Sequence, residues 1–337
     1  MEKEHTIFIN VPSFQDDEYI PTIRDAFEKA SNPRRVFIGT RYLTTHKDEP
    51  TDVMKKIQQL EYANNVKINF QLVNEGNMYT VFSSAGGRAE SAKHYNDEDY
   101  VLSIDSHAIF AQDWDSKLID LHSKALIETN NDKTIVTAYA APYFFNDEGK
   151  RDWWGNHMYQ YIGYHDFGQG IIQAENFWIE RPIFSVCLPW ICQRDFEIDK
   201  HPDIIPSTKF AYNFSFSNQM FIYDEDYEVV LMEEDMIKTF KLIKDGWTFA
   251  YPSVEPIVGH LYTNQIDSQR GLGERAQVEV LAGRGHDAYR KVKEVKNFLR
   301  YYYNPEYQEV IKKYEEWLGV DFTKIDTFTR EVPESYI

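Results

Sequence analysis

Short apolar segments alternate with segments of helical periodicity along the first 140 residues, and this alternation constrains the fold more than any other feature. The predicted strands are Thr6–Val11, Arg35–Thr40, Val66–Leu72, Tyr100–Ile104 and Thr134–Ala140. The predicted helices are Tyr19–Ala30, Val53–Asn64, Ser83–Tyr95 and residues 114–128. Asp113 is the expected N-cap of the last of these helices. A strand can pair in parallel with the preceding strand only after a long crossover, which is usually a helix. The pattern therefore predicts an α/β fold with a mostly parallel sheet flanked by helices.

The pattern changes after residue 142. Residues 143–212 are rich in aromatic side chains and show little periodicity. We interpret them as an insert that covers the functional site, and an irregular but packed layer of the core is the open alternative. A strand over Phe214–Tyr223 and a helix over Met232–Ile243 follow, and charged helical segments continue from Asp287 to Leu318. We expect one α/β domain over residues 1–265, with 143–212 inserted in it, and a helical extension over 266–337.

Composition restricts the class of protein. The net charge is −18 and the isoelectric point about 5.0, which disfavours broad non-specific binding to nucleic acid. Cys187 and Cys192 are the only cysteines, so no disulfide framework is expected. The amino terminus lacks a signal-peptide pattern, and no apolar run approaches the ~20 residues of a membrane span. The sequence predicts a cytoplasmic protein without membrane contact.

Asp105 and His107 directly follow the apolar strand Tyr100–Ile104. Residues two apart in an extended chain project to the same side, so this carboxylate and this imidazole can bind one divalent cation such as Mn²⁺ or Mg²⁺. Both are also ordinary turn residues, and that simpler interpretation stays open. Asp16 and Arg88 follow other predicted strands, and ligands of parallel sheets bind beyond the carboxyl ends of the strands. This edge of the sheet is the predicted site.

Several segments in this order resemble one family, the GT-A glycosyltransferases that add N-acetylglucosamine to hydroxyproline on a cytosolic protein, together with their bacterial and viral relatives. The similar segments are Ile7–Asp16, Pro21–Ile23, Phe27–Pro33, Arg35–Gly39, Gly87–Ala92, Ser103–His107, Trp114–Asp115, Glu233–Glu234 and Val258–Tyr262. They lie within residues 5–120 and 213–263, about half of the chain. Asp105-Ser106-His107 is also similar to the metal motif of the polypeptide N-acetylgalactosaminyltransferases. Met232 and Gln15 depart from the family, which has Gly and often Arg there.

The resemblance implies a retaining, metal-dependent glycosyltransferase that moves a sugar from a UDP-sugar to an acceptor hydroxyl. It implies Mn²⁺ or Mg²⁺ held by Asp105, His107 and His260. The residues it places around the nucleotide sugar are Ser13, Phe14, Asp16, Arg88 and Ser106. Asp16 would contact the base or ribose, and Arg88 a phosphate or the ribose.

Two further groups belong to the predicted site. Glu233 and Glu234 open a helix, where one of them would face the sugar or the acceptor; both are also ordinary at a helix start. Trp153 and Trp154, in the insert on the acceptor side, would stack on the acceptor, or belong to the core.

Alternatives remain open at this stage. The acceptor is a protein hydroxyl, a glycan or, as viral relatives suggest, a hydroxymethylated DNA base; a viral enzyme would work in the host cytoplasm. Another enzyme class is a metal-dependent hydrolase that uses Asp105, His107 and His260. A non-enzyme alternative is a sugar-binding module with a structural cation, which would bind free sugar but not UDP.

Overall fold

A computed structural model describes the protein over twelve segments. They are residues 4–14, 16–43, 49–64, 67–73, 84–153, 161–162, 190–191, 203–207, 210–221, 233–252, 254–261 and 303–318. The strands are β1 Ile7–Asn10, β2 Ser13–Phe14, β3 Val36–Leu43, β4 Asn69–Val73, β5 Tyr100–Ile104, β6 Ala108–Phe110, β7 Thr134–Thr137, β8 Ala141–Phe145, β9 Arg151–Trp153, β10 Tyr161–Ile162, β11 Trp190–Ile191, β12 Ile204–Ser207, β13 Phe214–Ser217, β14 Thr248–Pro252 and β15 Val258–His260. The α-helices are α1 Tyr19–Glu28, α2 Glu49–Asn64, α3 Ser84–Ala92, α4 Trp114–Thr129, α5 Glu233–Lys244 and α6 Gln308–Leu318.

The described strands form one large mixed sheet, in the order β12-β14-β7-β13-β5-β1-β3, and β3 also pairs with β2 and β4. Strand β1 is parallel to both β3 and β5, which places the carboxyl ends of the three strands at one edge. Strand β13 runs antiparallel between β5 and β7. The predicted mostly parallel sheet with helical crossovers is confirmed for the first half of the chain.

A second, four-stranded sheet has the order β6-β15-β8-β9 and lies at the edge where β5 ends. Strand β6 follows β5 after only three residues, so the two sheets meet at the loop Asp105–His107. Strand β15 pairs antiparallel with β6 and parallel with β8. This sheet brings the segment around residue 260 to the end of β5, which the local sequence pattern does not indicate.

Apolar side chains of α1 and α4 are buried against the large sheet. Helix α1 buries Ile20, Ile23 and Phe27 on one face, with a spacing of three to four residues that matches one side of a helix. Trp114, the first residue of α4, is fully buried, and its indole Nε1 donates to the carbonyl oxygen of Ala26 at 2.8 Å. This hydrogen bond connects α4 to α1.

Helix α4 begins at Trp114, as the sequence predicts, but Asp113 does not cap it with its side chain. The backbone of Asp113 is left-handed, with φ 59°, and its amide donates to the carbonyl oxygen of Lys29 at 2.8 Å. Asp115 instead accepts hydrogen bonds from the Ser31 and Asn32 amides and from Arg35 Nε. The buried carboxylate of Asp115 thus connects α4 to the turn after α1.

Later elements follow the prediction in part. The predicted strand from Phe214 ends at Ser217, and the described residues 218–221 are not extended as a strand. Helix α6 confirms helical structure at the carboxyl end of the predicted tail and packs on α5, where Phe240 and Tyr314 meet edge to face. Most of residues 154–202 and 262–302 lies outside the described residues, so the insert and the boundary at 265 remain predictions. Among the described helices none has the length and apolarity that a membrane crossing needs.

Candidate metal centre

The loop that connects β5 to β6 presents Asp105 and His107. Its backbone rests on α1 through Thr22, whose fully buried hydroxyl accepts from the Ala108 amide at 2.9 Å. The same hydroxyl lies 3.0 Å from the carbonyl oxygen of Ser106. A buried threonine on α1 thus satisfies backbone groups of the loop and connects the loop to α1 at the end of the sheet.

His260 reaches this loop through strand pairing. It is the last residue of β15 and pairs with Ala108 of β6, one residue beyond His107. The Leu261 amide also donates to the carbonyl oxygen of His107 at 3.0 Å. The register of two short antiparallel strands therefore sets the two imidazoles side by side, with ring centroids 4.6 Å apart.

Asp105, His107 and His260 form a compact group of potential metal ligands. Nε2 of His260 lies 2.9 Å from Oδ2 of Asp105 and 3.0 Å from Nε2 of His107. One ligand atom from each residue falls within 4.8 Å of the others. Two ligand atoms at about 2.1 Å from one ion and at right angles to each other are about 3.0 Å apart. Two imidazoles and one carboxylate at these separations fit a divalent cation.

Arg88 holds the other oxygen of Asp105. Its guanidinium contacts Oδ1 of Asp105, donates to the carbonyl oxygen of Ile104 at 3.2 Å and lies 4.8 Å from the ring centre of Tyr212. Burial raises the pKa of Asp105, but Arg88 and the neighbouring histidines outweigh it, and the net pKa lies well below the ordinary value. Asp105 is therefore ionised, with Oδ1 on Arg88 and Oδ2 directed at His260.

Asp16 contacts the opposite side of His107. Its Oδ2 lies 2.7 Å from His107 Nδ1 and accepts from the Ser106 hydroxyl at 2.7 Å. Its Oδ1 accepts from the Glu18 amide at 2.9 Å, in the turn that opens α1. Burial raises the pKa of Asp16, but the hydrogen bonds and the charge of His107 outweigh it and lower the pKa below its ordinary value. Asp16 is an ionised acceptor here.

His260 is the most enclosed of the three potential ligands. Burial lowers its pKa, and the adjacent His107 lowers it further, while Asp105 acts in the opposite direction. The net direction favours the neutral imidazole, which is the form that binds metals.

The hairpin β8–β9 closes one side of the site through contacts that the sequence analysis did not predict. Arg151 Nε donates to Glu18 Oε2 at 2.6 Å, and the Tyr143 hydroxyl donates to the same oxygen at 3.2 Å. Both partners lie more than 120 residues from Glu18 in sequence, so no local pattern indicates the contact. The ion pair of the half-buried Arg151 with the buried Glu18 thus connects the hairpin to the turn that carries Asp16.

Trp153 lies on β9 and packs over the strand that carries His260. A Cβ atom placed on Gly259 would lie 2.7 Å from Cζ3 of Trp153 and 2.9 Å from Cγ1 of Ile109. Glycine is therefore required beside His260 by close packing. Trp153 is half-buried.

The other predicted site residues are only partly described. Ser13 lies on β2, and its buried hydroxyl makes no hydrogen bond within the described part of the chain. Phe14 belongs to the same strand, and Glu233 and Glu234 begin α5, but the side chains of these three lie outside the description. Trp154 lies outside the described residues. The structure thus brings together Asp16, Arg88, Asp105, Ser106, His107 and His260.

Two solved structures are similar to this chain to different degrees. A crystal structure of GalNAc-T7 with UDP, GalNAc and Mn²⁺ matches with a TM-score of 0.52 and 12% identity, over 97% of this chain and 58% of that chain. A crystal structure of TarS from S. aureus matches with a TM-score of 0.41 and 11% identity, over 89% of this chain and 44% of that chain. The chain thus spans little more than half the length of the first neighbour. The predicted GT-A α/β fold is confirmed.

No curated protein matches the sequence. One family model does match, over residues 6–80 and 83–323, which is nearly the whole chain. This range includes both histidines of the candidate metal centre, Asp105 and the positions of the hairpin β8–β9. By this match, the chain belongs to the family described as Glycosyltransferase (GlcNAc).

Proposed function

We propose that the protein is a metal-dependent glycosyltransferase that moves a sugar from a UDP-sugar donor to an acceptor hydroxyl. One observation carries the proposal: Asp105, His107 and His260 converge within 4.8 Å at the carboxyl ends of parallel strands, in a chain of a glycosyltransferase family. That edge of an α/β sheet is where nucleotides bind. A diphosphate leaving group needs compensation of its negative charge, and the cluster is positioned to hold the cation that supplies it.

Each residue of the cluster would supply one ligand atom to the cation. His107 and His260 would each offer Nε2, and Asp105 would offer Oδ2 because Arg88 occupies its Oδ1. A bound divalent cation supplies Lewis-acid stabilisation of the diphosphate. Mn²⁺ is our first choice over Mg²⁺, because imidazole ligands suit Mg²⁺ poorly. Three protein ligands leave coordination positions for donor phosphate oxygens.

The acceptor side is proposed to lie toward Trp153. Its half-buried ring packs on the strand of His260, so an acceptor stacked there would be close to the donor phosphates. Glu233 and Glu234, at the start of α5, are proposed to orient the sugar or the acceptor. The resemblance to retaining enzymes supports transfer with retention, and the resemblance to hydroxyproline-modifying enzymes supports a protein hydroxyl. A glycan or a modified DNA base is the alternative acceptor, and the charge of −18 disfavours DNA.

A donor screen tests the proposal. The protein would be incubated with a panel of UDP-sugars, with and without Mn²⁺, and the release of UDP would be measured. Mn²⁺-dependent release from one donor supports the transferase and identifies its sugar. Asp105→Asn should remove this release, whereas Asp120→Asn, at an exposed carboxylate on α4, should not. Binding of free sugar with no affinity for UDP at any metal concentration would contradict the proposal.

Two measurements refine it. The anomeric configuration of the product, read by proton NMR coupling constants, distinguishes retention from inversion. A panel of hydroxyproline peptides, oligosaccharides and hydroxymethylated DNA identifies the acceptor class, since only the true acceptor should accelerate UDP release beyond the hydrolysis rate.

A further inference from the structure

Asp16 and His107 are connected by a hydrogen bond that joins distant parts of the chain. Oδ2 of Asp16 and Nδ1 of His107 are 2.7 Å apart, and the residues are 91 positions apart in sequence. The two side chains are 10% and 12% exposed, so the bond is largely shielded from water. A charge-assisted bond in such a place is stronger and better oriented than a surface contact.

The remaining hydrogen-bonding capacity of Asp16 is small. Besides His107, it accepts from the Ser106 hydroxyl at 2.7 Å and from the Glu18 amide at 2.9 Å. A carboxylate offers about four lone-pair positions, so three bonds use most of them. The Glu18 bond also fixes the side chain to the turn before α1. Asp16 is therefore held in place by the protein itself.

The bond to Asp16 decides which nitrogen of His107 carries hydrogen. Both oxygens of Asp16 already accept a hydrogen bond, Oδ2 from the Ser106 hydroxyl and Oδ1 from the Glu18 amide, so Nδ1 of His107 is the donor in its contact with Oδ2. In the neutral ring Nε2 then carries the lone pair, and Nε2 is the atom 3.0 Å from Nε2 of His260 in the cluster. The contact fixes both the tautomer and the direction of the ring.

We propose that Asp16 is a positioning residue that holds His107 in the Nδ1–H tautomer and directs its Nε2 at the divalent cation. Ser106 supports it by donating to the same oxygen. Asp16 thus acts through His107, not through the base or ribose that the family resemblance implies for it. This inference rests on the proposed function in one respect, namely that the cation belongs to the binding site of the sugar donor. The tautomer of His107 can be measured in the protein without metal.

The first test is nitrogen-15 NMR of the histidine side chains in the metal-free protein, with the His107 signals assigned by their loss in His107→Gln. The expected result, at a pH high enough for the His107 ring to be neutral, is a protonated Nδ1 and an unprotonated Nε2. A His107 ring protonated on Nε2 alone would overturn the proposal. This measurement needs no variant at Asp16 and no activity.

The second test is calorimetric titration with Mn²⁺, without nucleotide, on Asp16→Asn, Asp17→Asn and Ser106→Ala. Asp17 is an exposed neighbouring carboxylate and serves as the matched control. Loss of such an outer partner typically weakens metal binding by about 10- to 100-fold, and we expect this for Asp16→Asn, a smaller loss for Ser106→Ala and no change for Asp17→Asn. Asp16→Glu should restore part of the affinity. Circular dichroism melting verifies that the variants are folded.

The outcomes separate this inference from the proposed function. If Asp16→Asn leaves the His107 tautomer and the Mn²⁺ affinity unchanged but weakens metal-free binding of UDP, Asp16 is a nucleotide contact and the inference is wrong. If the tautomer and Mn²⁺ results are as expected but no UDP-sugar is bound or hydrolysed, the inference stands and the proposed function fails.

Discussion

The buried Arg88 forms an ion pair with the partly exposed Asp105 of the candidate metal centre. The guanidinium takes Oδ1 of the carboxylate, and Oδ2 lies 2.9 Å from His260 Nε2. One carboxylate thus serves two purposes, since it neutralises a buried cation of the protein and offers its second oxygen to the cluster. Substitutions at Asp105 and Arg88 should therefore change both metal binding and stability.

Asp105→Asn should abolish Mn²⁺ binding and also destabilise the fold. The loss of affinity should exceed the ~10- to 100-fold typical of an outer partner, because a ligand itself is removed. The buried Arg88 would lose its counter-charge, and breaking such a pair costs about 3–5 kcal/mol when the survivor stays buried. Calorimetric titration and urea unfolding measure the two effects. Unchanged Mn²⁺ affinity would remove Asp105 from the ligand set.

Arg88→Met should destabilise the protein and raise the pKa of Asp105, because the carboxylate would lose the cation beside it. In a protein that already carries Asp105→Asn, Arg88→Met should lower the free energy of unfolding by less than it does in the wild type. The reason is that the double variant contains no unpaired buried charge at this pair. Urea unfolding of the wild type, the two single variants and the double variant gives the coupling free energy between Arg88 and Asp105. Strict additivity would mean that the two residues do not interact in solution. Arg88→Lys is the control that keeps the charge.

Gly259→Ala should destabilise the second sheet and weaken metal binding. The added Cβ would lie 2.7 Å from Cζ3 of Trp153, and overpacking of this kind costs about 1–3 kcal/mol. The strain falls on the residue next to His260, so that ligand should shift. In a Trp153→Leu background the same substitution should cost less. An equal cost in both backgrounds, measured by urea unfolding, would contradict the packing argument.

His122 should make the protein sensitive to acid. It is buried on α4, with Nε2 donating to the carbonyl oxygen of Thr134 at 3.0 Å. Burial, partly opposed by this hydrogen bond, lowers its pKa from 6.5 to about 4. Between pH 6.5 and pH 4 the unfolded chain binds a proton at His122 and the folded protein does not. The free energy of unfolding is therefore unaffected by His122 above pH 6.5 and decreases as pH falls toward 4.

The loss of stability that protonation of His122 causes follows from the shift of its pKa. At 1.36 kcal/mol per pKa unit, the free energy of unfolding falls by about 3 kcal/mol. Urea unfolding at pH 7 and pH 4.5 measures it in the wild type and in His122→Gln, which keeps a donor but does not titrate. The variant should lose less stability than the wild type over this range. Equal losses would assign the acid sensitivity to other groups.

Removal of divalent cations should stop UDP release and leave the protein folded. Nε2 of His260 lies within 3.0 Å of both Nε2 of His107 and Oδ2 of Asp105, so these three side chains can hydrogen-bond to one another when the ion is removed. Addition of Mn²⁺ at 100 times its dissociation constant should stabilise the folded state by about 2.7 kcal/mol. A thermal shift assay with EDTA and then Mn²⁺ checks this, and Asp105→Asn should show no shift.

The sequence by itself determined the features that depend on neighbouring residues. The alternation of strands and helices predicted the layered sheet, and the apolar strand Tyr100–Ile104 followed by Asp105 and His107 placed two potential ligands at its carboxyl end. Boundaries were less well predicted: β3 extends to Leu43, beyond the expected Thr40, because pairing with β2 and β4 continues it. Asp113 stands before α4 as expected but does not cap it, because the Lys29 carbonyl holds its backbone in a left-handed conformation.

Tertiary structure alone decided how the site is assembled. The register of β6 and β15 places His260 next to His107, which lies 153 residues earlier in the chain. Asp16 contacts His107, and Arg88 contacts Asp105. The local sequence determines the periodicity of each helix and strand. The contacts of the site form between buried donors and acceptors that come together only when distant strands pair. The resemblance indicated His260 as a ligand, but the partners of the carboxylates follow only from the requirement that buried charges be paired.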